Sequence, residues 1–362
     1  MFDFFWVPLT TALISAVAIL MLRPLAKRGG LLDRPGGRKR HAGEVPLVGG
    51  IAILIAIGVG ANMFVRGQGY YVALFSALTL LALTGLIDDL RGLTPLTKLA
   101  VQLFAGILMT SWGGVFLHSL GDIFARRVVD LGNWGIPLTL FAVVAVVNAV
   151  NMSDGLDGLA GGLALSIFGW YAYLAGETGN LMAQRICMLL VGALVGFLIF
   201  NMRNPLRGNL RVFLGDAGSL MLGLAIVWFA VELSQPAYNT GRTVPPVVML
   251  WVVGFLLIDL LAVVARRLIS GRNPMSADRT HLHHILSRMD VSAGVVVWTI
   301  LASNAVLGLI GVSAWKLGVP EHVLFLLFLI VTAAHLIVMR NAAYFLRSGR
   351  RLLSRRNKRP QN

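Results

Sequence analysis

The stretch that decides the fold is "NMSDGLDGLAGG", Asn151 to Gly162, which directly follows the apolar run "LFAVVAVVNAV", Leu140 to Val150. Asp154 and Asp157 lie among glycines, beside a run that has the composition of the middle of a membrane. A carboxylate is costly next to hydrocarbon, and membrane proteins keep one there mainly where it serves an ion or a substrate. The stretch therefore predicts a membrane helix that ends in a polar, functional turn.

The composition of the whole chain is that of an integral membrane protein. Of its 362 residues 57% are hydrophobic and 13% are charged, and the mean hydropathy is +0.78, whereas about a quarter of the residues are charged in a soluble domain. The single cysteine, Cys187, excludes an intrachain disulfide. The first apolar run, "FFWVPLTTALISAVAILML", has its positive charges behind it, which predicts a retained span with the amino end outside.

We predict an all-α fold: a polytopic membrane protein of about eleven transmembrane helices. With the amino end outside, nearly all of the 31 Lys and Arg residues fall on the inner side, as inner loops of membrane proteins require. The exceptions are Arg66, Arg126, Arg127, Arg185, Arg242 and Lys316. The predicted spans are roughly 5–22, 47–64, 72–87, 96–112, 136–150, 159–174, 186–200, 220–233, 244–264, 292–312 and 323–339.

Most acidic residues and the "HLHH" cluster also fall on the inner side, so we expect an active site at the cytoplasmic face. Because no internal repeat or soluble segment is visible, we predict one transmembrane domain, residues 1–340, and a basic cytoplasmic tail, residues 341–362. The net charge of +15 does not indicate nucleic-acid binding, since the topology alone explains a basic tail. We expect the tail to bind anionic membrane lipids.

The first inner loop, residues 31–50, carries the basic residues Lys39, Arg40 and His41. They either follow from the topology or form a cradle for an anionic headgroup or a pyrophosphate.

The paired aspartates Asp88 and Asp89 end the third predicted span, in "LIDDLRGLTPLTK". Adjacent carboxylates at the hydrocarbon boundary repel each other unless a cation or a proton is shared. We therefore expect a metal, a basic partner or a proton-accepting role there, with a pair that merely reaches water as the alternative.

Four polar residues around the opening stretch recur every three residues: Asn148, Asn151, Asp154 and Asp157. On a helix this spacing makes one slanted polar stripe. Oxygen ligands without thiolates suit a hard cation such as Mg²⁺, which binds few protein ligands together with substrate phosphates. The alternative is a polar packing seam between helices.

The segment "NMRNPLRGNLRVFLGDAGSLMLG" places Asp216 just before the eighth predicted span. A helix amino terminus favours phosphate, and an aspartate beside it can hold a metal against that phosphate. A simple helix N-cap is the alternative for Asp216. The nearby Arg203, Arg207 and Arg211 favour an anionic ligand.

The segment "RRLISGRNPMSADRTHLHHILSRMD" contains Arg266 and the histidine cluster. If its second half is helical, His281 and His284 share a basic face. Zinc is disfavoured because no cysteine is nearby in the sequence and no HExxH arrangement is present, so phosphate recognition is preferred. Taken together, the inner segments suit Mg²⁺ and phosphates, which indicates phosphoryl transfer between a nucleotide and a lipid phosphate. The rival class is a membrane transporter that uses the acids as an ion relay.

Five motifs, in this order, resemble those of the polyprenyl-phosphate N-acetylhexosamine-1-phosphate transferase superfamily over essentially the whole chain. They are "RKRHAGEVPLVGG", "IDDL", "NAVNMSDGLDGLAGG", "VFLGDAGS" and "RRLISGRNPMSADRTHLHH". The last is similar to the sugar-recognition loop of the WecA group, which uses UDP-GlcNAc, rather than to the loop of the branch that uses UDP-MurNAc-pentapeptide. UDP-GalNAc, another UDP-HexNAc or UDP-MurNAc-pentapeptide remains an alternative donor, and the sequence does not separate two epimers because they differ at one hydroxyl group.

The resemblance implies that Asp216 and Asn151 hold Mg²⁺, with Mn²⁺ as an alternative ion. It implies catalytic roles for Asp88, Asp89, Asp154 and Asp157, although Gly92 stands where some relatives carry a third acid. The substrate-binding residues that we expect, from the segments and the resemblance, are Lys39, Arg40, His41, Asn148, Arg203, Arg211, Arg266, Asp278, Arg279, His281, His283 and His284.

The expected reaction is attack by the phosphate of undecaprenyl phosphate on the β-phosphorus of UDP-GlcNAc, with release of UMP. Asp88 or Asp89 either takes the proton of the lipid phosphate or only positions substrate, because such a phosphate is already mostly dianionic at pH 7. The resemblance also implies the bacterial inner membrane as location, and a homodimer, which is common in the superfamily.

Overall fold

The computed structural model describes residues 2–34, 43–65, 68–203, 209–235, 243–269, 271, 282, 286 and 291–340. Within these residues the fold is helical, with one small antiparallel hairpin, β1 (Leu32–Asp33) and β2 (Val45–Pro46). The predicted all-α class is therefore confirmed. The helices are α1 (Phe2–Gly29), α2 (Gly49–Phe64), α3 (Val72–Arg91), α4 (Pro95–Ile107), α5 (Gly135–Ser153), α6 (Leu159–Thr178), α7 (Leu181–Asn201), α8 (Gly215–Ser234), α9 (Pro246–Val252), α10 (Gly254–Ile269), α11 (Ala293–Lys316) and α12 (Glu321–Arg340).

The described part of the chain contains eight helices that are long and apolar enough to cross a membrane, or nine if one bent pair counts as a span. Each predicted span coincides with a helix or with that pair, but α2 has only 16 residues. The helix α4 has 13 residues before a π-helical turn, Leu108–Trp112. The multi-pass membrane protein is confirmed, whereas the count of eleven spans and the outside position of the amino end stay predictions.

The ninth predicted span, roughly 244–264, is broken into α9 and α10, which are bent by 81° relative to each other. At the break the side-chain oxygen of the buried Asn304 accepts the backbone N–H of Phe255 at 3.3 Å. An amide group inside the bundle can replace a lost helical hydrogen bond, which is how a break is tolerated within a membrane. The span pattern of the sequence does not reveal this break, because the partner comes from another helix.

The helix α8 lies at the centre of the bundle, since 94% of the residues in its most apolar stretch are buried. It packs against α2, α3, α5 and α6. Two crossings are so close that they require glycine: a Cβ atom on Gly85 would overlap the backbone of Ala217, and one on Gly50 would overlap the backbone of Gly218. The beginning of α8 therefore lies directly against α2 and against the last turns of α3.

One end of the bundle gathers the polar segments, and we call it the site end: the end at which α3 finishes and α8 begins. Backbone hydrogen bonds join the start of α2 to the residues just before α8, since Gly49 N–H donates to the carbonyl of Phe213 and Gly50 N–H donates to the carbonyl of Leu214, both at 2.9 Å. Phe213 N–H in turn donates to Pro46 of β2 at 2.9 Å. These bonds hold the hairpin and the first turn of α8 together.

Candidate active site

The paired aspartates lie in the last turn of α3 and have different partners. Asp88 accepts the backbone N–H of Leu93 at 2.6 Å and the ammonium of Lys98 at 2.8 Å. The first contact closes the loop after α3, and the second reaches the first turn of α4. A basic partner, one of the alternatives predicted for this pair, is therefore present at Asp88.

Lys98 joins two carboxylates that are far apart in the sequence. Its Nζ atom lies 2.8 Å from Asp88 Oδ2 and 3.2 Å from Asp216 Oδ2. Lys98 is half-buried, and its ammonium pairs with both carboxylates at once. The lysine therefore links the end of α3 to the first turn of α8.

Asp89 caps the central helix. Its Oδ1 atom accepts the backbone N–H of Asp216 at 3.1 Å, and its Oδ2 atom lies 3.5 Å from the N–H of Ala217. Gly215, with a φ of 72°, makes the turn that brings these N–H groups to the carboxylate. A carboxylate satisfies the free N–H groups and the positive end of a helix dipole. Asp89 thus orients the first turn of α8.

Asp216 lies inside the first turn of α8, because this helix begins at Gly215 rather than near residue 220 as predicted. The N-cap residue is Leu214, so the simple N-cap interpretation of Asp216 is wrong. Besides Lys98, Asp216 accepts the side-chain N–H of Asn151 at 2.9 Å. That amide also donates to the hydroxyl of Ser219, at 2.9 Å, one turn further along α8.

The predicted polar stripe is helical only in its first half, since α5 ends at Ser153. Asn148 donates to the buried Gln102 of α4 at 2.8 Å, so this residue serves the α4–α5 packing as the alternative predicted. Asp154 and Asp157 lie in the turn between α5 and α6, where the glycines break the helix.

Asp154 is half-buried in that turn, outside the candidate spans. Desolvation, and then the charges of nearby carboxylates, chiefly Asp216 and Asp89, raise the pKa of Asp154 well above its ordinary range. Each effect disfavours the ionised carboxyl group. Asp154 therefore lies within the electrostatic reach of the Lys98 cluster, which we define as Asp88, Lys98, Asn151 and Asp216.

Asp157 forms a close ion pair with Arg211. The guanidinium nitrogen Nη2 donates to both carboxylate oxygens, at 2.7 and 2.9 Å, and Arg203 Nε lies 3.7 Å from Oδ2. The guanidinium of Arg211 also stacks over Phe213 at 4.6 Å. These contacts tie the turn after α5 to the segment before α8, so the two predicted arginines meet a predicted aspartate.

The other predicted residues divide into two groups. Arg266 lies half-buried in the last turn of α10. The rest lie outside the described residues: Lys39, Arg40, His41, Asp278, Arg279, His281, His283 and His284.

Sequence reasoning assigned no role to Lys98, Gln102 or Ser219. The available signal was a lysine and a glutamine four residues apart in "LTKLAVQLF", which places both on one face of an apolar helix. Ser219 carried no such signal, because the serine of "GDAGS" is as typical of an ordinary helix start as of a functional site.

The described residues contain no group of three His, Cys, Asp or Glu side chains arranged to hold a metal ion. Mg²⁺ needs fewer, since it usually binds one or two carboxylates together with waters and substrate phosphates. Asp216, the neighbouring Asp88 and the amide oxygen of Asn151 are hard ligands of this kind. The ammonium of Lys98 between the two carboxylates shows that the position attracts a cation. The donor set therefore fits Mg²⁺.

The fold and the Lys98 cluster define a multi-pass membrane protein with a cluster of charged and polar side chains at one end of its helix bundle. Residues 71–234 match the family model described as glycosyl transferase family 4. The chain is 34% identical over 320 residues to the undecaprenyl-phosphate alpha-N-acetylglucosaminyl 1-phosphate transferase of Yersinia pestis, which covers 88% of this chain and 86% of the relative.

Two further relatives carry the same description. The Salmonella typhi protein is 33% identical over 359 residues, 97% of this chain and 95% of the relative. The Haemophilus influenzae protein is 32% identical over 336 residues, 88% of this chain and 91% of the relative. The chain therefore belongs to this family of transferases, and the resemblance stated from the motifs is confirmed.

Proposed function

We propose that the chain transfers GlcNAc-1-phosphate from UDP-GlcNAc to undecaprenyl phosphate and releases UMP. The activity for which the relatives are named, at 32–35% identity over most of the chain, supports the transfer and the lipid acceptor. The observation that carries the proposal is the Lys98 cluster, in which α3, α4, α5 and α8 bring opposite charges together at one end of the bundle. A site for a lipid phosphate belongs at such an end, where the headgroups lie.

In the proposed reaction an oxygen of the lipid phosphate attacks the β-phosphorus of UDP-GlcNAc. A new P–O bond forms while the bond from the β-phosphorus to the bridging oxygen breaks, and UMP leaves with that oxygen. The bond between the sugar and its phosphate stays intact. One phosphoanhydride replaces another, so the protein mainly positions the substrates and neutralises charge.

Magnesium is part of the proposal. Asp216 and Asn151 would hold Mg²⁺ together with pyrophosphate oxygens, with Asp88 beside them, and the ion would supply charge neutralisation at the transferred phosphoryl group. Lys98 supplies a second positive charge at the same place and can exchange its carboxylate partners for phosphate oxygens.

The geometry supports a positioning role for Asp89 rather than a role as proton acceptor. Both of its oxygens face backbone N–H groups of α8, at 3.1 and 3.5 Å. A phosphate monoester has its second pKa near 6 and is mostly dianionic at pH 7. The nucleophile therefore needs no strong base, and Asp89 serves by fixing the turn that carries Asp216.

The site end is proposed to face the cytoplasm of a bacterial inner membrane, where a nucleotide sugar is available. The distribution of Lys and Arg predicted from the sequence supports this orientation.

The test is UMP release by the purified full chain in detergent with undecaprenyl phosphate and Mg²⁺. UDP-GlcNAc, UDP-GalNAc and UDP-MurNAc-pentapeptide are compared as donors. We expect release with UDP-GlcNAc, loss of release in EDTA, and at least a hundredfold lower rate for Asp216→Ala, the scale of losing one electrostatic contact to a transition state. Asp130→Ala, at an exposed aspartate in the loop before α5, is the matched control.

If UMP is released only with another donor, that donor takes the place of UDP-GlcNAc in the proposal, and the proposed reaction type stays. No release from folded protein with any donor would refute the transferase, and substrate flux into vesicles would then favour the transporter.

A further inference from the structure

A pair of side-chain amides lies between α4 and α5, next to the Lys98 cluster. Gln102 of α4 is only 2% exposed, and its Oε1 atom accepts the side-chain N–H of Asn148 of α5 at 2.8 Å. The same nitrogen of Asn148 donates to the backbone carbonyl of Val144, also at 2.8 Å. The pair therefore uses one oxygen of Gln102 and one nitrogen of Asn148.

These contacts determine how both amides are oriented. A backbone carbonyl only accepts hydrogen bonds, so the Asn148 atom beside Val144 is the nitrogen, and the Gln102 atom that accepts from it is the oxygen. Among the residues that the structure describes, the Nε2 group of Gln102 and the Oδ1 atom of Asn148 make no hydrogen bond. A buried amide group without a partner is costly, so the Nε2 group of Gln102 indicates a binding position for a ligand.

The amide pair lies deeper in the bundle than the Lys98 cluster. Gln102 follows Lys98 by four residues on the same face of α4, about 6 Å further from the site end. Asn148 precedes Asn151 by three residues on α5, which finishes at the site end, so Asn148 is also the deeper of the two. The polar surface of the cluster thus continues into the apolar part of the bundle.

This deeper side is the one from which a lipid arrives. Several apolar side chains of α4 are exposed: Leu96, Leu103, Phe104 and Ile107. One side of α4 therefore faces out of the bundle, toward lipid in a membrane. A nucleotide sugar comes from water, whereas the phosphate of a polyprenyl phosphate stays attached to a chain that lies in hydrocarbon. A polar group on the membrane side of Lys98 is thus placed for the lipid phosphate.

We propose that Gln102 binds the phosphate of the lipid acceptor, with its Nε2 group donating to a phosphate oxygen on the membrane side of Lys98. Asn148 positions Gln102 by holding its Oε1 atom. The inference rests on the proposed function, which supplies undecaprenyl phosphate as the acceptor, and it adds a residue that recognises this phosphate. The alternative is that the amide pair only packs α4 against α5.

The first test is the KM of Gln102→Met in the full chain. Methionine keeps the length of glutamine and removes the amide. We expect the KM for undecaprenyl phosphate to rise about tenfold or more, the scale of losing a hydrogen bond to a charged group. The KM for UDP-GlcNAc should stay near the wild-type value. An equal rise of both KM values would overturn the proposal, because it would show a general loss of the site.

The double variant Gln102→Met/Asn148→Leu separates binding from packing. Gln102→Met alone leaves an N–H of Asn148 without its acceptor and should lower the thermal midpoint, whereas replacing both partners by apolar groups should restore much of it. The KM for undecaprenyl phosphate should nevertheless stay raised. A KM that returns to the wild-type value together with the midpoint would show that the pair only packs the helices. If Gln102→Met alone does not fold, the double variant gives the same KM comparison.

Gln235→Met is the matched control. Gln235 is also buried, and it accepts the backbone N–H groups of His118 and Ser119 at 2.9 and 3.0 Å, beyond the end of α8 that lies opposite the site end. Its replacement removes a buried, hydrogen-bonded glutamine and should leave the KM for undecaprenyl phosphate near the wild-type value. Equal KM values for Gln102→Met and Gln235→Met would contradict the role given to Gln102.

Binding of the lipid gives a readout independent of activity. The thermal midpoint in detergent is measured with undecaprenyl phosphate and with undecaprenol, which lacks the phosphate. The phosphate should give the larger rise in the wild type, and Gln102→Met should lose most of that difference. An unchanged difference would overturn the proposal. A wild type that shows this Gln102-dependent binding but releases no UMP would refute the proposed function instead and leave the phosphate-binding role of Gln102 in place.

Discussion

Lys98 shows how a single residue can hold a site together. Its ammonium lies between two carboxylates that are 128 positions apart in the chain, Asp88 and Asp216, within 2.8 and 3.2 Å. Without this charge the two acids would face each other in a partly desolvated place, where like charges repel strongly. Lys98 thus stabilises the cluster, and in the proposed reaction the same ammonium group binds phosphate oxygens.

Replacing Lys98 by methionine should lower kcat/KM for UDP-GlcNAc by about a hundredfold or more, since it removes a preorganised positive charge from the transferred phosphoryl group. Lys98→Arg, which keeps the charge, should lose less. The measurement is UMP release at saturating Mg²⁺.

Lys316→Met controls for the loss of a lysine. Its Nζ atom pairs with Glu177 at 2.8 Å at the far end of the bundle, and the pair is substantially exposed. Equal activity of Lys98→Met and Lys316→Met would contradict the role given to Lys98.

Asp154 leads to a prediction about pH. Desolvation and the neighbouring carboxylates raise its pKa above the ordinary value of 3.8 in the folded protein. The folded state then binds more protons than the unfolded state as pH rises above that value, so the contribution of Asp154 to stability falls as pH rises. Asp154→Asn removes the titration, and its Tm relative to wild type should be higher at pH 8 than at pH 5, measured in EDTA.

Asp130→Asn, at an exposed carboxylate, should show no such change of relative Tm between the two pH values. If the relative Tm of Asp154→Asn is instead constant with pH, the carboxyl group of Asp154 is not perturbed in the folded protein.

At the scale of elements, the site depends on how closely α3 approaches α8. Gly85 lies one turn before Asp88 and Asp89 and directly against the backbone of Asp216 and Ala217. Because a side chain there would push the helices apart, the glycine sets the distance at which Asp89 can cap α8 and at which Lys98 can bridge Asp88 and Asp216.

Gly85→Ala should therefore destabilise the protein by about 1–3 kcal/mol, the usual cost of overpacking, and should also reduce the rate of UMP release. The thermal midpoint in detergent and the rate are measured together. Gly58→Ala in α2 is the control, since a Cβ atom there meets no other atom within 4 Å. A Gly85→Ala protein as stable and as active as Gly58→Ala would show that the crossing tolerates a wider spacing.

At the scale of the whole molecule, the bundle brings together helix ends that are distant in the chain. Four helix ends meet at the site end: the last turns of α3 and α5 and the first turns of α4 and α8. The central helix α8 packs against both α3 and α5. The bend between α9 and α10 directs α10, with Arg266, away from the path of a straight span. The polar groups are thus carried by helix ends in a largely apolar bundle.

The sequence by itself determined the membrane class, the helices and the polar segments, because apolar length and charge placement are local properties of the chain. The same local pattern predicted a metal, a basic partner or a proton-accepting role at Asp88 and Asp89. The motifs identified the family, and that resemblance implied that Asn151 and Asp216 act together. Only the tertiary structure decided which partners meet: Lys98 with Asp88 and Asp216, Asp89 with the start of α8, and Asp157 with Arg211. The contacts of Asp88, Asp89 and Lys98 with α8 depend on a helix crossing set by Gly85. Such contacts between distant residues leave no periodic signal in the sequence.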